Sequence, residues 1–160
     1  MIKAVEKEKI PECVKVIHDS FITVADEFGF TAENAPEFTA FATSEERLNC
    51  HMFEEHRPMY AFYDNDVIVG YYSLLLQENK ECELCNLCVI PSYRHKGIGR
   101  ELLLHAFMTA QEMGCNKVNI GVVDENAVVK KWYEAFGFVH IGAEKFDFFP
   151  FTYGYMVKEL

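Results

Sequence analysis

The stretch PSYRHKGIGRELL, residues 91–103, marks a change from strand to helix and predicts an anion-binding turn. Gly97 and Gly99 let the backbone approach a ligand closely, and the first turn of the following helix has N–H groups without intrahelical partners. These groups and the helix dipole attract anions. Within seven positions of an acidic chain the stretch also concentrates positive charge, from Arg94, His95, Lys96 and Arg100. We therefore expect a highly charged anion here, such as a pyrophosphate.

The spacing of these glycines does not match the common phosphate-binding motifs. A P-loop is a longer glycine-spaced loop that ends in Gly-Lys-Ser/Thr, and the dinucleotide-binding fingerprint has three glycines. Neither pattern is present around residues 97–99, and the chain has no Gly-x-Ser-x-Gly elbow of the kind that hydrolases use.

Periodicity on both sides of the turn predicts an α/β domain of the α+β kind. Helical spacing of apolar residues predicts helices near residues 10–24, 44–55, 98–113 and 126–136, the second with Thr43 and Glu46 as a capping box. Runs of β-branched and aromatic residues predict strands at 2–5, 83–90, 117–123, 138–145 and 153–158, and a two-stranded hairpin within 59–77. The order β-α-α-β-β-β-α-β-α-β-β predicts a mixed, mostly antiparallel sheet of about six to seven strands flanked by four helices.

Length and charge narrow the class of protein. A chain of 160 residues, half of them apolar, is the size of one domain, which we assign to residues 1–160. The net charge of -10 argues against nucleic acid or an anionic membrane as a partner. Because no apolar run reaches the roughly 18 residues of a spanning helix, we expect a cytoplasmic protein whose cysteines stay reduced.

Three cysteines precede the turn, in ECELCNLCVIP at residues 81–91, and their spacing raises the question of a metal site. On a regular strand Cys82 and Cys88 would point to one face and Cys85 to the other, so the three could not converge on one metal. A bulge could change this alternation by one residue, but no fourth cysteine is near. The histidines show no ligand spacing either, and we expect no metal.

Two segments resemble landmarks of the GNAT superfamily, the acyl-CoA-dependent N-acetyltransferases. The first is Arg-x-x-Gly-x-Gly from Arg94 to Gly99, preceded by LCVIPSY, and the second is NAVVKKWYEAFGF at residues 126–138. The order of elements is also similar, and the resemblance extends from about Ile2 to Lys158. It implies transfer of an acetyl group from acetyl-CoA to an amine by direct attack in a ternary complex. Two alternatives remain open, namely a module that binds or senses acyl-CoA without turnover and a transferase for longer acyl groups.

The resemblance also implies where acetyl-CoA binds. Its pantetheine arm would pair with the main chain of Leu87, Cys88 and Val89, and the Val89 N–H would polarise the thioester carbonyl. The pyrophosphate would lie on the turn, whose residues are Arg94, His95, Lys96, Gly97, Ile98, Gly99 and Arg100. Asn126 would hold the cosubstrate, or would only cap its helix.

Acyl transfer to an amine needs a base for the amine and an acid for the departing thiolate. By resemblance Tyr133 is the acid, and the alternative is a tyrosine that only packs in the core. By the same resemblance Glu83 is the candidate base, because it lies eleven positions before Arg94. The alternative is that Glu83 is only a solvated strand residue. Cys88 would lie near the thioester, but no histidine or acid is placed by sequence to activate it as a nucleophile.

The resemblance places the acceptor between residues 21–43 and roughly residues 145–155. Both segments are rich in phenylalanine and carry carboxylates, which suits a cationic amine with an apolar body. The aromatic residues could instead form core or a homodimer contact.

Overall fold

The computed structural model describes all 160 residues and has seven strands and five helices. The strands are β1 (Ile2–Ala4), β2 (Met59–Asp64), β3 (Val67–Leu76), β4 (Glu81–Val89), β5 (Lys117–Val123), β6 (Val139–Lys145) and β7 (Thr152–Glu159). The helices are α1 (Ile10–Phe28), α2 (Thr39–Ala42), α3 (Glu45–Phe53), α4 (Ile98–Glu112) and α5 (Ala127–Ala135). The predicted order is confirmed, and the structure adds the short α2 between the first two predicted helices.

All seven strands form one sheet in the order β1-β2-β3-β4-β5-β7-β6. Every neighbouring pair is antiparallel except β4 and β5, which are parallel. The prediction of a mixed, mostly antiparallel sheet is therefore confirmed. The parallel pair lies at the middle of the sheet, and α4 is the crossover between its strands.

Helices cover both faces of the sheet, so the core has two main layers. On one face α1 and α3 bury Ile17 and Leu48 against β2 and β3. On the other face α4 and α5 bury Leu102 and Tyr133 against β3, β4 and β5. A third, mostly aromatic cluster joins the end of α1 and the segment before α2 to β5 and β7, with Phe38 among its buried rings.

Residues at the helix termini explain where α1 ends and where α3 and α5 begin. α1 stops at Gly29, whose φ of 75° is a left-handed conformation that glycine adopts without steric cost. α5 begins after Asn126, whose side chain accepts a hydrogen bond from the Val129 N–H. The predicted cap of α3 was wrong by one residue, because Ser44 and not Thr43 accepts from the Arg47 N–H. None of the helices has the length and apolar character needed to cross a bilayer.

Candidate active site

A gap opens between the parallel strands β4 and β5. They pair only where residues 81–83 lie beside residues 117–119, although both strands continue beyond that point. In β4, Asn86 has a φ of 55°, and Asn86 and Leu87 together lie opposite the single residue Tyr72 of β3. Such a bulge bends a strand and increases its twist, which turns the end of β4 away from β5.

The edge of β4 that faces the gap has a free backbone N–H group at Val89. The Ile90 N–H donates to Val69 of β3, so the N–H of Val89, one residue earlier, points away from β3 and toward the gap. The Val89 carbonyl points the same way, since it accepts from the Arg94 side chain and not from a neighbouring strand. An extended ligand could therefore pair with this edge as an added strand would.

The turn after β4 presents a row of N–H groups. None of the N–H groups of residues 95–100 donates to a protein acceptor, and the first bond of α4 runs from the Glu101 N–H to the Gly97 carbonyl. The turn is possible because Gly97 has a φ of 85°. At Gly99 an added Cβ would be in ordinary van der Waals contact with Trp132 at 3.6 Å, so a side chain there would cause no clash within the protein. Six free donors at a helix N-terminus form a cradle that fits a pyrophosphate.

Arg94 points away from this cradle. Its guanidinium donates to the Val89 carbonyl at 3.0 Å, the Ser20 carbonyl at 2.9 Å and the Thr23 hydroxyl at 3.2 Å. The side chain therefore fastens the end of β4 to α1, although its place in the motif had suggested contact with the anion. His95, Lys96 and Arg100 differ from Arg94, because all three residues are exposed at the turn.

The gap leads into one cavity of about 230 Å³ that passes between β4 and β5. The strands contribute residues 83–87 and 120–123 to its walls. One end, here called the helical end, is lined by Asn126, Val129 and Tyr133 of the α5 region. The other, here called the aromatic end, is lined by Phe21, Val24, Glu37, Phe38, Thr39, Phe149, Phe151 and Tyr153. A donor and an acceptor that entered from opposite ends would meet at the strands.

Glu83 lies on the wall where the two strands separate. It is half-buried, and its carboxylate forms no hydrogen bond or ion pair. Burial raises the pKa of this carboxyl, and the positive charge of Arg57 offsets part of the rise. Arg57 is itself paired with Glu55 at 2.6 Å. A carboxylate with a raised pKa and free lone pairs is a suitable general base near neutral pH.

Tyr133 lines the helical end of the same cavity. Its ring is buried against Trp132 and Phe138 at centroid distances of 5.0 and 5.3 Å, and its hydroxyl has no hydrogen-bond partner. Burial raises the pKa of this phenol well above its usual range, so the hydroxyl stays protonated at neutral pH. It can therefore donate a proton or a hydrogen bond into the cavity.

Asn126 caps its helix and keeps its amide nitrogen free. Its side-chain oxygen accepts from the Val129 N–H at 3.2 Å and caps α5. Its amide nitrogen has no partner in the protein, and the residue lines the helical end of the cavity. The cap therefore does not prevent Asn126 from donating to a bound molecule.

The aromatic end brings together the two segments that were expected to receive the acceptor. Phe38 contacts Phe151 edge to face at 5.9 Å between centroids, and Phe149 stacks on Phe151 at 4.5 Å and on Tyr153 at 6.2 Å. Burial and the negative charge of Glu83 raise the pKa of Tyr153 to about 12. The prediction that these rings form core is also partly right, because Phe38 and Phe151 belong to the third cluster.

The three cysteines of β4 do not alternate as a regular strand would predict. Cys82 lies in the core layer under α4, whereas Cys88 lies in the layer under α1, because the bulge at Asn86 reverses the alternation. Cys88 is buried away from the cavity, and burial raises the pKa of its thiol to about 12. Cys85 lines the cavity, and burial raises the pKa of its thiol to about 12 as well. Neither thiol is set up as a nucleophile. No group of three or more potential ligands is placed to hold a metal ion.

Sequence reasoning missed the bulge at Asn86 and the position of the Tyr153 hydroxyl. The bulge at Asn86 has a weak signal, since asparagine is among the few non-glycine residues that tolerate a left-handed backbone. Tyr153 lies across β5, with its hydroxyl over Gly121, where an added Cβ would stand 2.0 Å from the hydroxyl oxygen. That close approach explains a glycine in the middle of β5, but only the packed structure reveals it.

Residues 23–138 match the Acetyltransferase (GNAT) family model. An uncharacterized N-acetyltransferase of Bacillus subtilis is 30% identical over 95 residues, which are 59% of this chain and 61% of that protein. An uncharacterized N-acetyltransferase of Mycobacterium tuberculosis is 25% identical over 114 residues, which are 71% of this chain and 73% of that protein. The match thus spans less than two thirds of the Bacillus relative's length.

Solved structures of acetyltransferases share the fold over the whole chain. The PaiA N-acetyltransferase of Thermoplasma acidophilum, solved in complex with coenzyme A, has a TM-score of 0.84 at 20% identity, covering 100% of this chain and 98% of that one. The ribosomal-protein-alanine N-acetyltransferase of Brucella melitensis has a TM-score of 0.77 at 19% identity, covering 100% and 99%.

Proposed function

Because the chain belongs to the GNAT acetyltransferase family, we propose that it transfers the acetyl group of acetyl-CoA directly to a primary amine of a small molecule or peptide. The observation that carries the proposal is the cavity between β4 and β5, whose lining includes both an unpaired carboxylate and an unpaired phenol. A module that only binds or senses acyl-CoA would need the open strand edge but not these two groups.

The free donors around the gap suit acetyl-CoA, the acyl donor. Its pyrophosphate would lie on the N–H groups of residues 95–100, and its pantetheine arm would pair with the open edge at residues 87–89. The Val89 N–H would then donate to the thioester carbonyl, where negative charge develops during the reaction. The free amide nitrogen of Asn126 would add a hydrogen bond from the helical end.

The groups in the cavity supply the proton transfers. Glu83, directly or through a water, takes a proton from the ammonium so that the amine nitrogen can attack the carbonyl carbon. The new C–N bond forms and the C–S bond breaks, the thiolate receives the proton of the Tyr133 hydroxyl, and the resulting phenolate recovers a proton from the nitrogen as that nitrogen becomes a neutral amide. Burial keeps the Tyr133 phenol protonated until the thiolate forms, and the raised pKa of Glu83 makes its carboxylate a better proton acceptor near neutral pH. Transfer is direct, since the Cys88 thiol lies outside the cavity and burial raises the pKa of the Cys85 thiol to about 12.

The proposal is tested by titrating the protein with acetyl-CoA in a calorimeter and then following free thiol with a panel of primary amines. We expect binding, and thiol release that depends on the amine. Binding with no amine-dependent release would favour the binding module, and no binding would contradict the whole proposal. Propionyl-CoA and longer donors in the same assay test the preference for acetyl.

The assignment of the acid is tested by Tyr133→Phe. We expect kcat to fall by about 100-fold or more, with acetyl-CoA affinity unchanged, because the ring remains and only the proton donor is lost. Tyr63→Phe is the matched control, since Tyr63 lies on β2 outside the cavity. Full turnover by Tyr133→Phe would show that another group protonates the thiolate.

A further inference from the structure

The charged side chains that line the cavity have a single sign, although Arg57 lies near enough to Glu83 to offset part of its raised pKa. Among its 20 lining residues the only charged ones are Glu37 and Glu83, and no Lys, Arg or His is among them. Glu37 lies at the aromatic end and is exposed, and its only ion pair is a loose one of 3.9 Å with Arg47. An acceptor that carried a carboxylate or phosphate would therefore bring an unpaired anion into a largely apolar space beside two carboxylates.

The strands supply two free polar groups on the face where an amine would enter. Glu83 and Gly121 lie on the same face of the sheet, because Glu83 pairs with Asn119 and Gly121 is two residues further along β5. The Tyr153 hydroxyl lies over Gly121 and has no hydrogen-bond partner. An ammonium group there would find a carboxylate and a phenol oxygen that can both accept its N–H bonds.

The walls outside these polar groups are aromatic rings. Phe149 stacks between Phe151 and Tyr153, and Phe38 closes the far side by its edge-to-face contact with Phe151. Flat rings held against one another favour a flat apolar body that can stack or pack edge to face.

We propose that the acceptor is a small primary amine attached through a short linker to an aromatic body, without a negative charge next to the amine. The ammonium lies between Glu83 and the Tyr153 hydroxyl, and the ring lies against Phe38, Phe149 and Phe151. This inference rests on the proposed acetyl transfer and narrows its acceptor to one chemical class.

Matched pairs of amines test the class. 2-Phenylethylamine and phenylalanine share a ring, a linker and an amine and differ only by the carboxylate, and tryptamine and tryptophan form a second pair. We expect kcat/KM for each amine to exceed that for its amino acid by about 10- to 100-fold or more, which is the cost of leaving a charged group unpaired. Spermidine, an aliphatic polyamine, should be a poorer acceptor than either arylalkylamine.

A pair of variants tests where the ring binds. Phe149→Ala should raise KM for 2-phenylethylamine at least about fivefold, through the lost ring contact, and leave KM for acetyl-CoA unchanged. Phe53→Ala is the control, since Phe53 is 51% exposed at the end of α3 and does not line the cavity. An unchanged KM in Phe149→Ala would overturn the placement of the ring.

The outcomes separate this inference from the proposed function. If the protein binds acetyl-CoA and acetylates amino acids or spermidine better than the arylalkylamines, the acceptor class is wrong and acetyl transfer stands. If it binds acetyl-CoA and acetylates none of these amines, the class is also wrong. If it does not bind acetyl-CoA, both fail.

Discussion

Replacing Arg94 with methionine removes a guanidinium that joins β4 to α1. The variant loses three hydrogen bonds, of 3.0, 2.9 and 3.2 Å, to the Val89 carbonyl, the Ser20 carbonyl and the Thr23 hydroxyl. The Ser20 carbonyl keeps another donor, the Thr23 hydroxyl at 2.8 Å, so the Val89 carbonyl is the main group left without a partner. Since one hydrogen bond with a charged partner contributes about 1.5–3 kcal/mol net, we expect the free energy of unfolding to fall by about 2–3 kcal/mol.

The assay is urea unfolding without CoA, followed by the fluorescence of Trp132, the single tryptophan. A loss of this size should lower the urea midpoint by about 1–2 M. Arg100→Met is the control, because Arg100 is exposed and its side chain forms no hydrogen bond. In that control the midpoint should not move, while CoA binding weakens. If Arg94→Met instead kept its midpoint and lost CoA affinity, Arg94 would be an anion ligand and the reasoning from its hydrogen bonds would be refuted.

Three further predictions concern Glu83, the glycines of the turn and His51. Glu83→Gln should lower kcat/KM by about 100-fold or more and abolish the loss of activity as the pH falls through the raised pKa of Glu83. An unchanged pH profile of kcat/KM in this variant would exclude Glu83 as the base. The same variant should have a higher Tm than the wild type at neutral pH and an equal Tm at pH 3, because a carboxyl whose pKa is raised in the native state costs stability as the pH rises. Gly97→Ala should lower the free energy of unfolding by about 1–2 kcal/mol, because its φ of 85° is unfavourable for alanine. Gly99→Ala should leave the free energy of unfolding unchanged. Equal urea midpoints for these two variants would contradict this prediction. Burial lowers the pKa of His51 to about 4 from 6.5, so the wild type should lose about 3 kcal/mol of stability as the pH falls from 6.5 to 4. In His51→Leu this loss should be absent when unfolding is measured across that range, and an equal loss in both proteins would assign the acid sensitivity to other groups.

Features that depend on short stretches of chain could be predicted from the sequence. The turn at Gly97 and Gly99 requires a left-handed residue before a helix, and the cap of α5 requires a side-chain oxygen at Asn126, so residue type alone indicates both. The apolar periodicity of α1 and α4 likewise predicted which helices would cover the sheet. Even here a neighbouring residue can take over a local role, as Ser44 does from Thr43 at the start of α3.

The order of elements and the glycine turn before α4 came from the sequence itself, because short-range sterics, hydrogen bonding and periodicity specify them, whereas Glu83 and Tyr133 became candidates through the resemblance of their segments to a known family. Tertiary structure alone decided that Glu83 and Tyr133 line one cavity, that the Arg94 side chain reaches residues 71 and 74 positions away, and that the bulge at Asn86 moves Cys88 to the other face. The physical reason is that these outcomes depend on contacts between segments far apart in the chain, whose geometry is set by how the helices and the sheet pack together.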